Sequence, residues 1–142
     1  MNLIQKAFEI AVSAHRNQID KSGQPYILHL TRVMLKGRTE EEQVCGLLHD
    51  LVEDTDWTFE QLEKSGFPLP ILYALRCLTH RDNEPYESYI ERVKTSKLAI
   101  NVKINDLEDN MDVKRLSEIT DKDAKRLAKY LRVYQELLLL RS

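Results

Sequence analysis

Cysteine, glycine and proline are scarce: two, four and four residues respectively in a chain of 142. The two cysteines, Cys45 and Cys77, each sit in an apolar helical context. They exclude a disulfide-built scaffold and read as core thiols of a reduced compartment. The few glycines and prolines exclude a low-complexity linker and confine the breaks to a handful of positions. No apolar run approaches the length of a bilayer span, so no membrane partner is expected. The opening residues, Met1-Asn2-Leu3-Ile4-Gln5-Lys6, lack the charged lead, apolar core and small-residue cleavage site of a secretory signal. A cytoplasmic location follows as the expectation. Charge of one sign is missing too: the net charge is -2. That argues against nucleic acid as partner and leaves any phosphate ligand dependent on local groups.

What is present is helix. No strand-like alternation of useful length, repeat or biased tract occurs, and 42% of residues are hydrophobic. The expectation is an all-α, single-domain protein spanning residues 1–142, with a core that needs no staple. A first amphipathic helix is expected from Asn2 to about Gln18, with His15 and Arg16 near its end, where the dipole favours positive side chains. A polar loop, Asp20 to Pro25, reads either as a solvated turn or as an anion cradle. Tyr26 to Lys36 forms the second helix, stopped by Gly37. Capping-box patterns at Thr39/Glu42, Thr58/Gln61 and Thr120/Asp123 open three more helices. Pro85 opens a helix after the loop His80 to Glu84, where His80 is expected to be solvated. The C-terminal helix carries a stripe of Leu127, Leu131, Tyr134, Leu137 and Leu138. The stripe fits packing within the chain and between copies equally, so the oligomeric state stays open.

The densest concentration of chemistry is Leu47-Leu48-His49-Asp50-Leu51-Val52-Glu53-Asp54. On a continuous helix, residues four apart share a face, pairing His49 with Glu53 and Asp50 with Asp54. The leucines and Val52 would pin the opposite side in a core. This acidic ridge is either a wet surface or a site. Burying a His-Asp pair without partners costs several kcal/mol, which favours a site. His29, on the apolar face of the second helix, and Asp106, four residues before Asn110 on a later one, extend the set of donors. Lys103, Asp106, Asp109 and Asp112 also read as the wet side of that helix. Two imidazoles and two carboxylates suit a hydrolytic divalent ion such as manganese better than a structural thiolate zinc site.

Three sequence words occur in order: Lys21-Ser22-Gly23-Gln24-Pro25-Tyr26-Ile27-Leu28-His29, then Leu47 to Thr55, then Lys103-Ile104-Asn105-Asp106-Leu107-Glu108-Asp109-Asn110-Met111. Together they resemble the HD superfamily of metal-dependent phosphohydrolases, and within it the RelA/SpoT-type hydrolase domain and its small single-domain relatives. The resemblance implies a helical fold holding one divalent ion, manganese, on His29, His49, Asp50 and Asp106. It assigns the water chemistry to Glu53 and Asp54, and contact with a nucleotide to Lys21, Ser22 and Asn110. The implied reaction removes pyrophosphate from the 3′ position of guanosine tetraphosphate or pentaphosphate. A divalent ion lowers the pKa of water toward neutrality and offsets phosphoryl charge. Glu53 would orient or deprotonate that water and Asp54 assist the proton transfer.

The chain differs from the family at several positions. Asp20 stands where an arginine usually packs on the guanine, Leu30 replaces a proline, and Leu107 and Asp109 replace an arginine and a histidine. The alternatives are a hydrolase for a different nucleotide or phosphorylated metabolite, a metal-holding module that binds a nucleotide without turnover, and a helical interaction protein with a solvated ridge.

Overall fold

A computed structural model of the chain describes residues 2–141. Met1 and Ser142, the two ends of the expected domain, lie outside them. Nine α-helices are formed among the described residues: α1 (Leu3–Ala14), α2 (Tyr26–Lys36), α3 (Glu40–Leu48), α4 (Leu51–Asp54), α5 (Phe59–Lys64), α6 (Leu69–Leu78), α7 (Tyr86–Val93), α8 (Lys97–Asn110) and α9 (Asp121–Leu138). A single 3-10 turn, Val113–Arg115, links α8 toward α9. Among the described residues, extended pairing is limited to an isolated bridge between Ile19 and Pro25. No helix among the described residues is long and apolar enough to cross a membrane.

Local chemistry explains most boundaries. The Asn2 side chain accepts from the Gln5 amide and starts α1. This helix ends at Ala14, short of the expected Gln18, and the chain turns through Asn17 in the left-handed region (φ 70°). Reciprocal capping boxes open α5 at Thr58/Gln61 and α9 at Thr120/Asp123. At α3 only half of the expected box forms. Thr39 accepts from the Glu42 amide, but the Glu42 carboxylate takes the Arg38 amide and the Asn101 side chain instead.

The helix α3 lies at the centre, with α1, α2, α6 and α8 packed around it. Its core contributions Val44, Cys45 and Leu47 are fully buried, as are Leu30 and Val33 of α2 and Ile104 and Leu107 of α8. Both cysteines are buried and free, as expected. Gly46 of α3 allows a close approach to α2. A Cβ there would sit 3.1 Å from both the N and Cα of Met34, so α2 and α3 touch backbone to backbone.

The C-terminal stripe is only partly used. Val133 and Leu137 face the core, whereas Leu131 and Leu138 are exposed, because α9 lies on α8 along the face through Tyr130, Val133 and Leu137.

Candidate metal centre and its flanking cavities

The polar ridge does not run along one continuous helix. The chain leaves α3 after Leu48, and Asp50 (φ -103°, ψ 1°) begins α4. The expected stacking of His49 on Glu53 and Asp50 on Asp54 is therefore replaced by a corner, although the Asp54 amide still bonds to the Asp50 carbonyl at 3.0 Å. The corner turns His49 and Asp50 inward and leaves Glu53 and Asp54 accessible at its edge. Leu47, Leu48 and Leu51 anchor it in the core, with Val52 packed against its margin.

The ring of His49 lies in the interior with that of His29 from α2, their centroids 5.5 Å apart. His49 Nε2 is 3.1 Å from Asp50 Oδ2 and 3.2 Å from Asp106 Oδ1. His29 Nε2 is 3.1 Å from the same Asp106 oxygen and 3.9 Å from Asp50 Oδ2. The four residues predicted as ligands thus converge from α2, the α3–α4 corner and α8. His29, His49 and Asp50 each offer a ligand atom within 4.8 Å of one another.

The opposite ring nitrogens are tied down. His29 Nδ1 lies 2.6 Å from Asp109 Oδ2, and His49 Nδ1 lies 2.7 Å from the Gly46 carbonyl. With those nitrogens donating, each neutral ring turns its Nε2 lone pair toward carboxylate oxygens. Such a meeting of lone pairs is favourable only with positive charge between them. Among the described residues His29 Nε2 is buried without a well-formed hydrogen bond, although Asp106 Oδ1 lies 3.1 Å away. Burial opposes protonation of both rings, but the carboxylates outweigh it: Asp106 and Asp109 raise His29 to about 9, and Asp50 and Asp106 raise His49. Burial likewise opposes ionisation of Asp106, yet Lys103, His49 and His29 hold its pKa well below the usual range. The cluster thus calls for positive charge, whether protons on the imidazoles or a bound ion, and its mixed nitrogen and oxygen donors fit a divalent ion.

Support for the cluster comes from side chains read from sequence as a wet face. Lys103 and Asp109 are buried along with Asp106. The Lys103 Nζ donates to Asp106 Oδ2 at 3.0 Å, and Asn110 Nδ2 to Asp106 Oδ1 at 3.0 Å. Asp109 receives Arg32 Nε at 2.7 Å as well as His29. Arg115 closes the same network through the Asp109 carbonyl at 3.0 Å. Tyr26 donates its hydroxyl to Asp50 Oδ2. His29 and Arg32 come from far along the chain, so the helical pattern of α8 alone could not show that Asp109 is compensated.

Two cavities flank the cluster and share Tyr26, Asn110 and Tyr130 in their walls. The larger, about 440 Å³, contains Lys21, Ser22 and Asn110, the three residues predicted to meet a nucleotide, together with Arg115 and Arg126. Lys21 makes no hydrogen bond or ion pair among the described residues. Partial desolvation and then the like charges of Arg126 and Lys122 lower its pKa, against the pull of Asp123. Asp20, on the same wall, serves the loop. Its Oδ1 accepts the Ser22 amide (2.9 Å), the Ser22 hydroxyl (2.7 Å) and the Gln24 amide (3.0 Å), while Gly23 takes the left-handed φ of 83° that the turn requires.

The second cavity, about 330 Å³, holds Glu53 and Asp54 with His80, Lys103 and Lys129. Glu53 Oε1 accepts the His80 amide at 2.8 Å. Desolvation, then the charges of Asp50 and Glu53, push Asp54 up to about 6. His80 is not the solvated loop residue expected. Its ring stacks on Tyr89 at 4.9 Å and Nε2 donates to the Glu84 carbonyl at 2.7 Å. His80, Lys103, Lys129, Arg115, Arg126 and the tyrosines were not among the expected site residues. Only the burial cost of Lys103 beside a motif aspartate could have signalled any of them.

No family model matches the chain. It is 33% identical over 138 residues to guanosine-3′,5′-bis(diphosphate) 3′-pyrophosphohydrolase of Aquifex aeolicus, covering 89% of this chain and 19% of that protein. It is 42% identical over 69 residues to a putative GTP diphosphokinase, RSH1, of Arabidopsis thaliana, covering 45% of this chain and 8% of the plant protein. The chain therefore spans less than a fifth of the length of these relatives. The solved structure of a metazoan ortholog of SpoT, which hydrolyzes ppGpp and plays a role in starvation responses, matches with a TM-score of 0.79 over 97% of this chain and 86% of that one, at 23% identity. Over most of its length the chain is thus similar in sequence to the Aquifex protein, and its helical fold is that of the metazoan protein.

Proposed function

We propose that the chain is a cytoplasmic, single-domain, manganese-dependent hydrolase that removes pyrophosphate from the 3′ position of guanosine-3′,5′-bis(diphosphate). The observation that carries this reading is the corner between α3 and α4. It presents two carboxylates, Glu53 and Asp54, to a cavity whose inner wall includes Asp50 and Asp106 of a buried cluster that demands positive charge. The activities named for the Aquifex and metazoan proteins agree with it.

In this reading His29, His49, Asp50 and Asp106 hold the ion, which when bound lowers the pKa of water and offsets charge on the phosphoryl oxygens. Glu53, fixed by the His80 amide, orients the attacking water. Asp54, with its pKa near 6, takes up and returns a proton close to neutral pH. The water oxygen bonds to the inner 3′ phosphorus, and the bond from that phosphorus to the ribose 3′ oxygen breaks. The ribose oxygen takes a proton, and pyrophosphate leaves. Lys21, Ser22 and Asn110 line the cavity for the rest of the nucleotide.

Incubating the purified, manganese-loaded chain with guanosine-3′,5′-bis(diphosphate) tests the substrate. Stoichiometric pyrophosphate and guanosine diphosphate are expected. No release at any enzyme concentration rejects the substrate. A second reading, hydrolysis of a nucleotide with another base, is favoured by the commitment of Asp20 to its own loop, which removes a base-stacking side chain from that wall. A panel of bases on the same bis(diphosphate) scaffold separates the two.

A further inference from the structure

The cavity beside Glu53 and Asp54 contains two polar groups with no work in the chemistry described so far. Tyr86, the first residue of α7, has a hydroxyl that is buried without a hydrogen-bond partner among the described residues. Lys129 of α9 reaches across from the other side, its Nζ 4.3 Å from the centroid of the Tyr86 ring and 5.9 Å from that of Tyr130. Lys129 makes no hydrogen bond or ion pair among the described residues. An ammonium seated on a ring face is held in place by the π charge, while its N–H groups directed away from the ring stay free to donate. Both residues line the same cavity as Glu53, Asp54 and Lys103.

The neighbouring cations are already spent. Lys103 is committed to Asp106 at 3.0 Å, and Arg126 to Asp123 at 2.9 Å. Where a diphosphate sets its inner phosphorus against the cluster on the Glu53 side, its outer phosphate falls in this cavity, beside two carboxylates that repel it. The charge of that phosphate needs a free cation and a free donor. Lys129 and Tyr86 are where the fold supplies them.

We propose that Tyr86 and Lys129 bind the outer phosphate of the diphosphate being removed, and so select a diphosphate over a monophosphate. This rests on the hydrolase reading of the site. Because pyrophosphate carries both phosphates away as product, the two residues bind product as well as substrate, and inorganic pyrophosphate probes them directly.

The test is calorimetric titration of pyrophosphate and of orthophosphate into the manganese-loaded full chain, for wild type, Tyr86→Phe, Lys129→Gln and Lys129→Arg, with circular dichroism to confirm folding. Wild type is expected to bind pyrophosphate about tenfold or more tighter than orthophosphate. Lys129→Gln is expected to weaken pyrophosphate about tenfold and Tyr86→Phe about threefold, with orthophosphate unchanged and Lys129→Arg restoring most of the affinity. Equal pyrophosphate affinity in wild type and both variants, an equal loss for orthophosphate, or no pyrophosphate binding by wild type overturns the proposal. If wild type hydrolyses the guanosine substrate while the variants keep its KM and their pyrophosphate affinity, the clamp fails and the hydrolase reading stands. If wild type leaves that substrate intact but the variants lose pyrophosphate selectively, the substrate reading fails and the clamp stands.

Discussion

The two cavities that meet at the metal-type cluster carry their positive charge in different ways. In the larger one the guanidiniums are paired with carboxylates, Arg126 with Asp123 and Arg115 with Asp109 and Asp112, leaving Lys21 as the unpaired cation. In the smaller one Lys129 rests on aromatic rings, and Glu53 and Asp54 in the same wall make no ion pair among the described residues. Charge that is paired and fixed gives shape and orientation, whereas unpaired charge beside unpaired carboxylates is available to ligand and proton. On the proposed hydrolysis, the larger cavity is the wall that would recognise the nucleotide and the smaller the wall that would react. The cluster lies between them, with His29 in the wall of the larger and Asp50 and Asp106 in the wall of the smaller.

Breaking the cluster should produce the largest effect. Asp50→Ala removes a predicted ligand shared by both imidazoles. Loss of stoichiometric metal by elemental analysis is expected, with hydrolysis reduced on the order of 10³-fold or more. Retention of metal and rate would return the ridge to a solvated surface. On the reacting wall, Glu53→Gln should keep the metal and lower kcat by roughly 10²- to 10⁴-fold with little change in KM, as read from steady-state kinetics. A variant that instead binds no metal would place Glu53 in the cluster.

Asp109→Asn weakens the support behind His29 without touching the cavity on the Glu53 side. Metal affinity is expected to fall about 10- to 100-fold in a competition assay with a chelator. Lys21→Gln on the recognising wall should raise KM about tenfold and leave kcat nearly unchanged, since it removes a contact that ground and transition states share. An equal fall in kcat would put Lys21 at the reacting phosphate and erase the contrast.

The smallest effect concerns Asp54 in the metal-free protein. Its folded pKa, about 6, lies above the usual 3.8, so the folded state holds the proton more tightly. Its contribution to stability is full below about pH 3.8 and is lost as pH rises through 6. Asp54→Asn keeps the neutral form throughout. It should raise the melting temperature of the metal-free protein by a few degrees at pH 7, and by almost nothing at pH 4.

The parts of this arrangement that sequence can show are those set by short spacing. Helix α2 runs from Tyr26 to Lys36 as its proline and glycine flanks predict, and Asp106 meets Asn110 because four residues make one turn. Ordered words likewise placed His29, His49, Asp50 and Asp106 on elements that the fold brings together. Hidden from sequence were features that depend on partners far along the chain. Asp109 looks like a surface residue until its contact with His29, 80 residues away, is known. Lys103 looks wet until the Tyr89 ring, 5.2 Å from its Nζ, and the Asp106 carboxylate are seen around it. The break at His49 and Asp50 was equally hidden, since Leu48 to Leu51 reads as unbroken helix and it is the packing of α4 that bends it.

The contact at Gly46 reaches further than packing. His29 and His49 belong to the two elements that touch there, and the Gly46 carbonyl is also what holds the His49 ring. The spacing of the two backbones that carry the imidazoles is therefore set by main chain against main chain. Side-chain substitutions around the cluster can alter which donors face the centre. The spacing of the two backbones is written in the absence of one methyl group.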